Sequence, residues 1–525
     1  MKQLSKRNVS LVMAGLLLSI LMASMDNTIV ATAMGNIVGE LGGMDKFVWV
    51  TSAYMVAEMA GMPIFGKLSD MYGRKRFFVF GIIVFIIGSA LCGTAGTITE
   101  LAIYRAIQGI GGGALIPIAF TILLDAVPLE KRGSLMGLFG AVFGLSSIFG
   151  PLLGAYITDH ISWQWIFYIN LPLGAVAFAL VAFNYKESHE HSKQPIDWLG
   201  AATLLGAIVC LIFALELGGK TFAWSSWEII GLFAGFTLLT IAFILAERKA
   251  EEPIISFKLF KNRLYTTSIL TALFSGAAFI VASVYIPIFI QGVLGGTATN
   301  SGLVLLPMMI GTVITATLGG MLISKMSYRS VILPTLALLG IGTALVTTLT
   351  PESSRLLVTF YMVLIGLGIG ATFSVLSTTA IHGLSYRQRG SASATLNFLR
   401  SLGMTLGITV FGLIQSHSFS NKMSSLAGDG TSTGALLPEG LNFEDTHALL
   451  APETRQLFPG ELLETITSML SDSIVRTFAW AIIPVGLSLI AASFMGRAKL
   501  DASAESADAV ATSDTNDAVT YSGAH

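Results

Sequence analysis

A chain of 525 residues that is 53% hydrophobic but only 12% charged, with mean hydropathy +0.75, lies far below the roughly one-quarter charged content of soluble domains. Its formal net charge of −1 gives no electrostatic footprint for nucleic acid. Its two cysteines, Cys92 and Cys210, both sit in apolar runs, which argues against a disulfide framework and against metal-ligand spacing.

Apolar runs fall near 10–35, 47–66, 77–94, 99–123, 134–158, 164–184, 198–217, 227–246, 264–290, 302–323, 330–350, 356–381, 391–415 and 473–495. A spanning helix needs about 20 apolar residues, so the fold class expected is an all-α polytopic membrane protein of 14 spans, both termini on one side. The first run follows Lys2, Lys6 and Arg7, as a signal peptide's would. It continues past Ala33 without a clean cleavage site and is expected to stay as the first span. Of the 30 Lys and Arg, 22 lie on segments assigned to the terminal side, five on the other side, and Arg105, Arg400 and Arg476 within spans. That bias predicts cytosolic termini.

Between the second and third runs lies GKLSDMYGRKR, residues 66–76, with Lys67, Arg74, Lys75 and Arg76 against one acid, Asp70. Gly66 and Gly73 suit a tight link where backbones approach closely or take unusual dihedrals. Any short cytosolic loop can be basic; the spacing of Gly, Asp, Gly and Arg, and a later copy, set this one apart.

Tyr104-x4-Gly109-x-Gly111-x-Gly113 recurs as Tyr361-x4-Gly366-x-Gly368-x-Gly370, and Arg132-Gly133-Ser134 recurs as Arg389-Gly390-Ser391, at one offset of 257 residues. The basic loop has its copy around Gly320–Arg329, offset 254. Two six-span halves with two extra spans between them fit a transporter whose halves rock about a central site. The expected units are 1–195, the linking pair 196–255, and 256–495 with an outer loop at 416–472 that carries a short helix around Pro459–Leu470, then a disordered tail at 496–525. The copies also diverge: Arg105 maps onto Met362, Asp70 onto Ser324 and Asp125 onto His382, which concentrates intramembrane charge in the first half.

Asp26 in the first span, Glu58 near the middle of the second and Arg105 in the fourth are charges inside hydrocarbon, which read as functional by default. A structural ion pair needs one acid, and here there are two, so the three are assigned to proton coupling. Met22 and Met25 share a helical face with Asp26, and Met55, Met59 and Met62 share one with Glu58. Thioethers suit a cavity for varied apolar shapes, although a Met stripe is more often plain packing. Gln108, Asn397 and Arg400 join this cavity; for Arg400 the alternative is snorkelling to the interface. Gly150, Pro151 and Gly154 stack small residues on a Pro kink and by spacing form a packing seam.

Several imitations fail. Gly109–Ala114 resembles a dinucleotide fingerprint but lies in a span and follows no strand. Gly219-Lys220-Thr221 ends like a phosphate loop without its earlier glycine, and His189 and His191 sit in a polar linker. No arrangement suggests a hydrolase or ATPase, so no enzyme, metal or organic cofactor is expected.

On these motifs the chain resembles the major facilitator superfamily, in particular its fourteen-span drug:proton antiporter branch. The resemblance rests on Gly66–Lys75, Arg105-x2-Gln108-Gly109-x-Gly111, Gly150-Pro151-x2-Gly154, Asp26-x-Thr28-Ile29-Val30, Trp163–Gly174 and Ile196–Gly200, and covers about residues 10–495. It implies that Asp70, Arg74 and Asp125, with Gly66, Gly73 and Arg132, latch the outward-facing state. It implies that Arg105 tunes the protonation site and that Gly150-Pro151 seals a helix interface. Ala155 stands where that antiporter motif usually has a second glycine, and Gln164 where Arg is common. The implied function is proton-coupled export of amphipathic, often cationic drugs by a monomer in a bacterial cytoplasmic membrane, with protons as the coupling ion. Its partners would be small-molecule substrates and the lipid bilayer. An exporter of one lipid or metabolite is the alternative on the same scaffold. A membrane sensor would need a cytosolic effector domain that the linkers do not offer.

Overall fold

The computed structural model describes residues 6–42, 48–127, 149–158, 160–187, 195–219, 221–296, 298–428 and 459–499, with isolated positions between 138 and 146. Its helices are α1 (Lys6–Leu41), α2 (Val48–Tyr72), α3 (Arg74–Cys92), α4 (Ile98–Ala126), α5 (Phe149–Thr158), α6 (Trp165–Tyr168), α7 (Asn170–Asn184) and α8 (Trp198–Leu217). There follow α9 (Trp227–Lys249), α10 (Arg263–Ile288), α11 (Ala298–Leu322), α12 (Tyr328–Val346), α13 (Arg355–Ile381), α14 (Tyr386–Gly428) and α15 (Gly460–Ser493). Short polar side chains set several starts by accepting a backbone N–H of the first turn: Thr97 before α4, Asp197 before α8, Ser226 before α9, Asn262 before α10, Ser327 before α12 and Ser354 before α13.

Among the described residues, 12 helical stretches are long and apolar enough to cross a membrane. α2 falls outside that set: Glu58 sits within its apolar run, and Lys67 and Asp70 follow directly after it; the helix lies against α4 on one side and α14 on the other. Of the run expected at 134–158, Phe149–Thr158 is a described helix, with helical positions at 138, 142, 145 and 146.

The repeat seen in the sequence is a repeat of packing. A Cβ on Gly113 would meet the Glu58 carbonyl oxygen at 2.5 Å, and one on Gly109 would clash with that of Tyr54. In the second copy Gly370 and Gly366 lie equally tight on the carbonyls of Thr312 and Met308. On the opposite face Gly111 abuts Phe85 of α3, and Gly368 abuts Leu339 of α12. Glycine therefore brings α4 and α13 to backbone contact with both neighbours.

One expectation is corrected at the far end of the chain. Residues 416–472 read as an outer loop with a short helix around Pro459–Leu470; instead α14 continues to Gly428, and the helix that begins at Gly460 runs on unbroken through α15. Phe419 and Met423 share one buried apolar cluster with Leu462, Ile466 and Leu470. Lys422 Nζ lies 2.8 Å from Asp472, and Gln415 donates to Ser473 at 3.2 Å. The apolar residues recur at helical spacing inside a polar composition, so average composition hides them.

Candidate functional site

Asp26 and Arg105, both 0% exposed, form an ion pair between α1 and α4. Asp26 Oδ1 also accepts from Gln108 Nε2 at 2.7 Å and from Asn170 Nδ2 at 2.9 Å. Gln108 and Asn170 both donate to Ser89 Oγ, at 3.2 and 3.0 Å, and Ser89 donates to the Phe167 carbonyl at 2.8 Å. Arg105 also donates to Gln108 Oε1 at 2.8 Å and lies over the Tyr54 ring, 4.1 Å from its centroid. Residues from α1, α2, α3, α4, α6 and α7 thus close on one ion pair. A buried pair survives in low dielectric when its own remaining donors and acceptors are also engaged, as those of Asp26 and Arg105 are here.

Glu58 stands beside this pair and outside it. Arg105 Nη2 donates to Asn27 Oδ1 at 3.4 Å, and the Asn27 side chain lies near the Glu58 carboxyl. Glu58 is 8% exposed and forms no ion pair among the described residues. Tyr54, one turn before it, keeps a buried hydroxyl with no hydrogen-bond partner among the described residues, packed on Gly112 near the Glu58 side chain.

The residues assigned to a cavity divide. Gln108 belongs to the ion-pair cluster. Met22 packs into the core of the first half, its sulfur 3.3 Å from where a Cβ on Gly174 would lie, and Met25 is buried at 4%. Met59 and Met62 join Leu204 and Ile208 of α8 and Phe398 of α14 in one cluster, while Met55 is half-buried. Met59 and Met62 therefore sit in the seam between α2 and the second half, where Thr405 Oγ1 lies 3.7 Å from Met59 Sδ. Arg400 Nη2 donates to the Thr372 carbonyl at 3.2 Å and Nη1 to Asn397 Oδ1 at 3.4 Å; its guanidinium lies 4.7 Å from the Phe373 ring centroid.

At the basic end of the bundle Asp70 crosses from α2 to α14. Its Oδ1 accepts from Arg74 Nη2 at 3.1 Å and from the Gly390 N–H at 2.9 Å; its Oδ2 accepts from the Ser391 N–H at 2.8 Å. These amides lie near the N-terminus of α14, where the helix carries partial positive charge. Gly390 has no room for a Cβ against Asp70, and Gly66 is pressed on Ala394. Gly73, at φ 115°, is the single-residue joint between α2 and α3, and Glu187 takes the Arg74 N–H at 2.7 Å. Burial pushes Asp70, which lies beyond the apolar run 47–66, up to about 6, against the opposing pull of Arg74 and the two amides. The Asp125 side chain and Arg132, assigned to the same latch, lie outside the described residues.

Gly150 and Gly154 seat α5 on α1 at Thr28 and Thr32, and the Thr28 hydroxyl donates to the Ser146 carbonyl at 3.0 Å. Pro151 is half-buried in the same helix. Asn27, Tyr54 and Ser89 were not singled out from sequence, and Gly390 and Ser391 were noted only as part of the repeated Arg-Gly-Ser. Asn170 was quoted only as part of a motif; a polar amide in an apolar run was the signal that could have found it. Ser89 gave no such signal.

Residues 16–408 match the family model described as Major Facilitator Superfamily. The chain is 54% identical over 494 residues to "Multidrug resistance protein 3" of Bacillus subtilis, covering 94% of this chain and 96% of that protein. It is 35% identical over 515 residues to "Multidrug transporter protein MdtP" of the same organism, covering 94% of each. Among solved structures it is similar to a bacterial homologue of the human lysosomal transporter Spinster, with TM-score 0.54 at 16% identity over 95% of this chain and 100% of that one. The proton:xylose symporter XylE gives TM-score 0.54 at 13% identity over 88% and 98%.

Proposed function

The chain belongs to the Major Facilitator Superfamily, a family of transporters rather than enzymes, and on that premise we propose that it exports amphipathic, often cationic compounds across the cytoplasmic membrane in exchange for protons. The names of its two Bacillus relatives, a multidrug resistance protein and a multidrug transporter, support transport of drugs. The observation that carries the coupling is the placement of two acids beside one arginine. Asp26 is filled by Arg105, Gln108 and Asn170, whereas Glu58, buried beside them, forms no ion pair among the described residues.

Glu58 is therefore the group assigned to proton exchange, with Asp26 and Arg105 holding α1 and α4 around it. A proton arriving from outside on Glu58 removes the charge that holds a cationic compound and releases it; returning that proton to the cytosol restores the site. α2 also carries Asp70, 12 residues further and about 18 Å along the axis. A displacement of α2 thus changes the surroundings of Glu58 and strains the contact with α14 together. In this reading α2 and the segment containing α5 join the 12 apolar helices as spans 13 and 14. The basic end faces the cytosol, and the Asp70 contact closes that side.

Dye transport in everted vesicles tests the scheme. Wild type is expected to accumulate a cationic dye when a pH gradient is imposed. Glu58→Gln is expected to lose gradient-driven accumulation while still exchanging dye down its own gradient. Undiminished accumulation in Asp26→Asn/Glu58→Gln would remove proton coupling through these acids.

A further inference from the structure

Arg400 is the counterpart, in the second half, of the charge left over in the first. It is 6% exposed, and among the described residues it meets no carboxylate. Its partners are a carbonyl, an amide oxygen and an aromatic ring. A guanidinium buried at membrane depth without a counter-ion is costly, and a residue that persists there is expected to serve a ligand. Glu58 has the opposite sign and the same lack of an ionic partner.

The two are brought to one level by the packing of α2 on α14. Asp70 meets Gly390, Gly66 meets Ala394 and Met59 meets Thr405, so the helices run antiparallel in a fixed register. Interpolating between those contacts sets Arg400 opposite Met62, about one helical turn along the axis from Glu58. Alongside them Met59, Met62 and Phe398 share one apolar cluster, two flexible thioethers and one ring.

We propose that Glu58 and Arg400 are the two poles of a cargo site in the α2–α14 seam, and that the preferred cargo is a zwitterionic amphiphile. This rests on the efflux reading above and narrows it. Glu58 takes the cationic end of the compound, Arg400 takes its carboxylate through paired N–H donors, and the apolar body lies on the methionines. A cargo carrying both charges satisfies both poles at once; a simple cation satisfies one and leaves Arg400 unpaired.

Two dyes with one chromophore separate the cases: rhodamine B, which carries a carboxylate beside its cationic ring system, and its ethyl ester, which does not. Both are loaded into vesicles holding the full-length protein, and export is compared for wild type, Arg400→Gln and Arg400→Lys. Arg400→Gln is expected to slow export of the free acid by about tenfold or more, the loss expected of a charge-assisted hydrogen bond, and to change that of the ester by less than about twofold. Arg400→Lys keeps the charge and is expected to restore part of the acid's export. Equal loss of both dyes in Arg400→Gln would mark a structural role and overturn the proposal, as would an unchanged acid rate. If wild type moves the ester but not the acid, the proposal falls and the efflux reading stands. If wild type moves neither, both fall.

Discussion

The two halves of the repeat share a glycine scaffold and differ in what it encloses. α4 packs on α2 and α3 through Gly109, Gly111 and Gly113; α13 packs on α11 and α12 through Gly366, Gly368 and Gly370. At equivalent positions the first half places Glu58, Arg105 and Gln108, and the second places Thr312, Met362 and Ile365. Met362 and Ile365 are as buried as Arg105, at 0% and 1%. Backbone contact can therefore be kept while the interior changes from ionic to apolar. The lesson is that architecture resides in residues without side chains, and chemistry in the few positions beside them.

The largest expected effect comes from erasing that difference. Arg105→Met writes the second-half residue into the first half and leaves Asp26 buried without its cation. Breaking a buried pair this way costs on the order of 3–5 kcal/mol, so thermal unfolding in detergent should fall well below wild type and gradient-driven export should vanish. Met362→Ala, at the equivalent position, leaves no charge stranded and should keep coupled export. If Arg105→Met retained coupled export, the division between the halves would be a matter of packing alone.

A smaller effect sharpens the shared part. Gly113→Ala and Gly370→Ala each drive a methyl into a carbonyl, and overpacking of this kind costs about 1–3 kcal/mol. Their unfolding temperatures should drop by similar amounts. Their transport should not match, because the carbonyl displaced by Gly113→Ala is that of Glu58. Similar loss of proton coupling in both variants would break the comparison.

The smallest effect concerns the basic end, where Asp70 joins the halves. Its carboxyl is raised to about 6 in this arrangement, above the ordinary carboxylate value near 4. This arrangement thus binds a proton more readily than one with Asp70 in water. Lower pH favours it: the preference is complete below about 4 and is lost as pH rises through about 6. Spin labels at Arg76 and Ser385, both exposed in wild type, should report a larger short-distance population at pH 5 (roughly a unit below the carboxyl's value) than at pH 7. The change should disappear in Asp70→Asn.

How far the sequence could be read follows the same division. Periodicity and run length located the helices, because hydrophobic length is a property of each segment alone. The buried charges Asp26, Glu58 and Arg105 were legible for the same reason. Their pairing was not: nothing in a single chain said that Arg105 would take Asp26 and leave Glu58 outside the pair. The partner of Asp70 was hidden more deeply, since Gly390 and Ser391 act through main-chain amides that any residue could supply. The extension of α14 past residue 415, and its packing on the start of α15, were missed because polar composition masked Phe419 and Met423, which meet Leu462, Ile466 and Leu470.

That last pair of helices has a practical side. At about 1.5 Å per residue, the 43 residues of α14 and 34 of α15 outrun a hydrocarbon slab of about 30 Å, even with tilt. A braced rod of protein should then stand clear of a detergent belt. Transporters of this size are hard to align in electron micrographs for want of such a landmark, and here the molecule supplies its own fiducial.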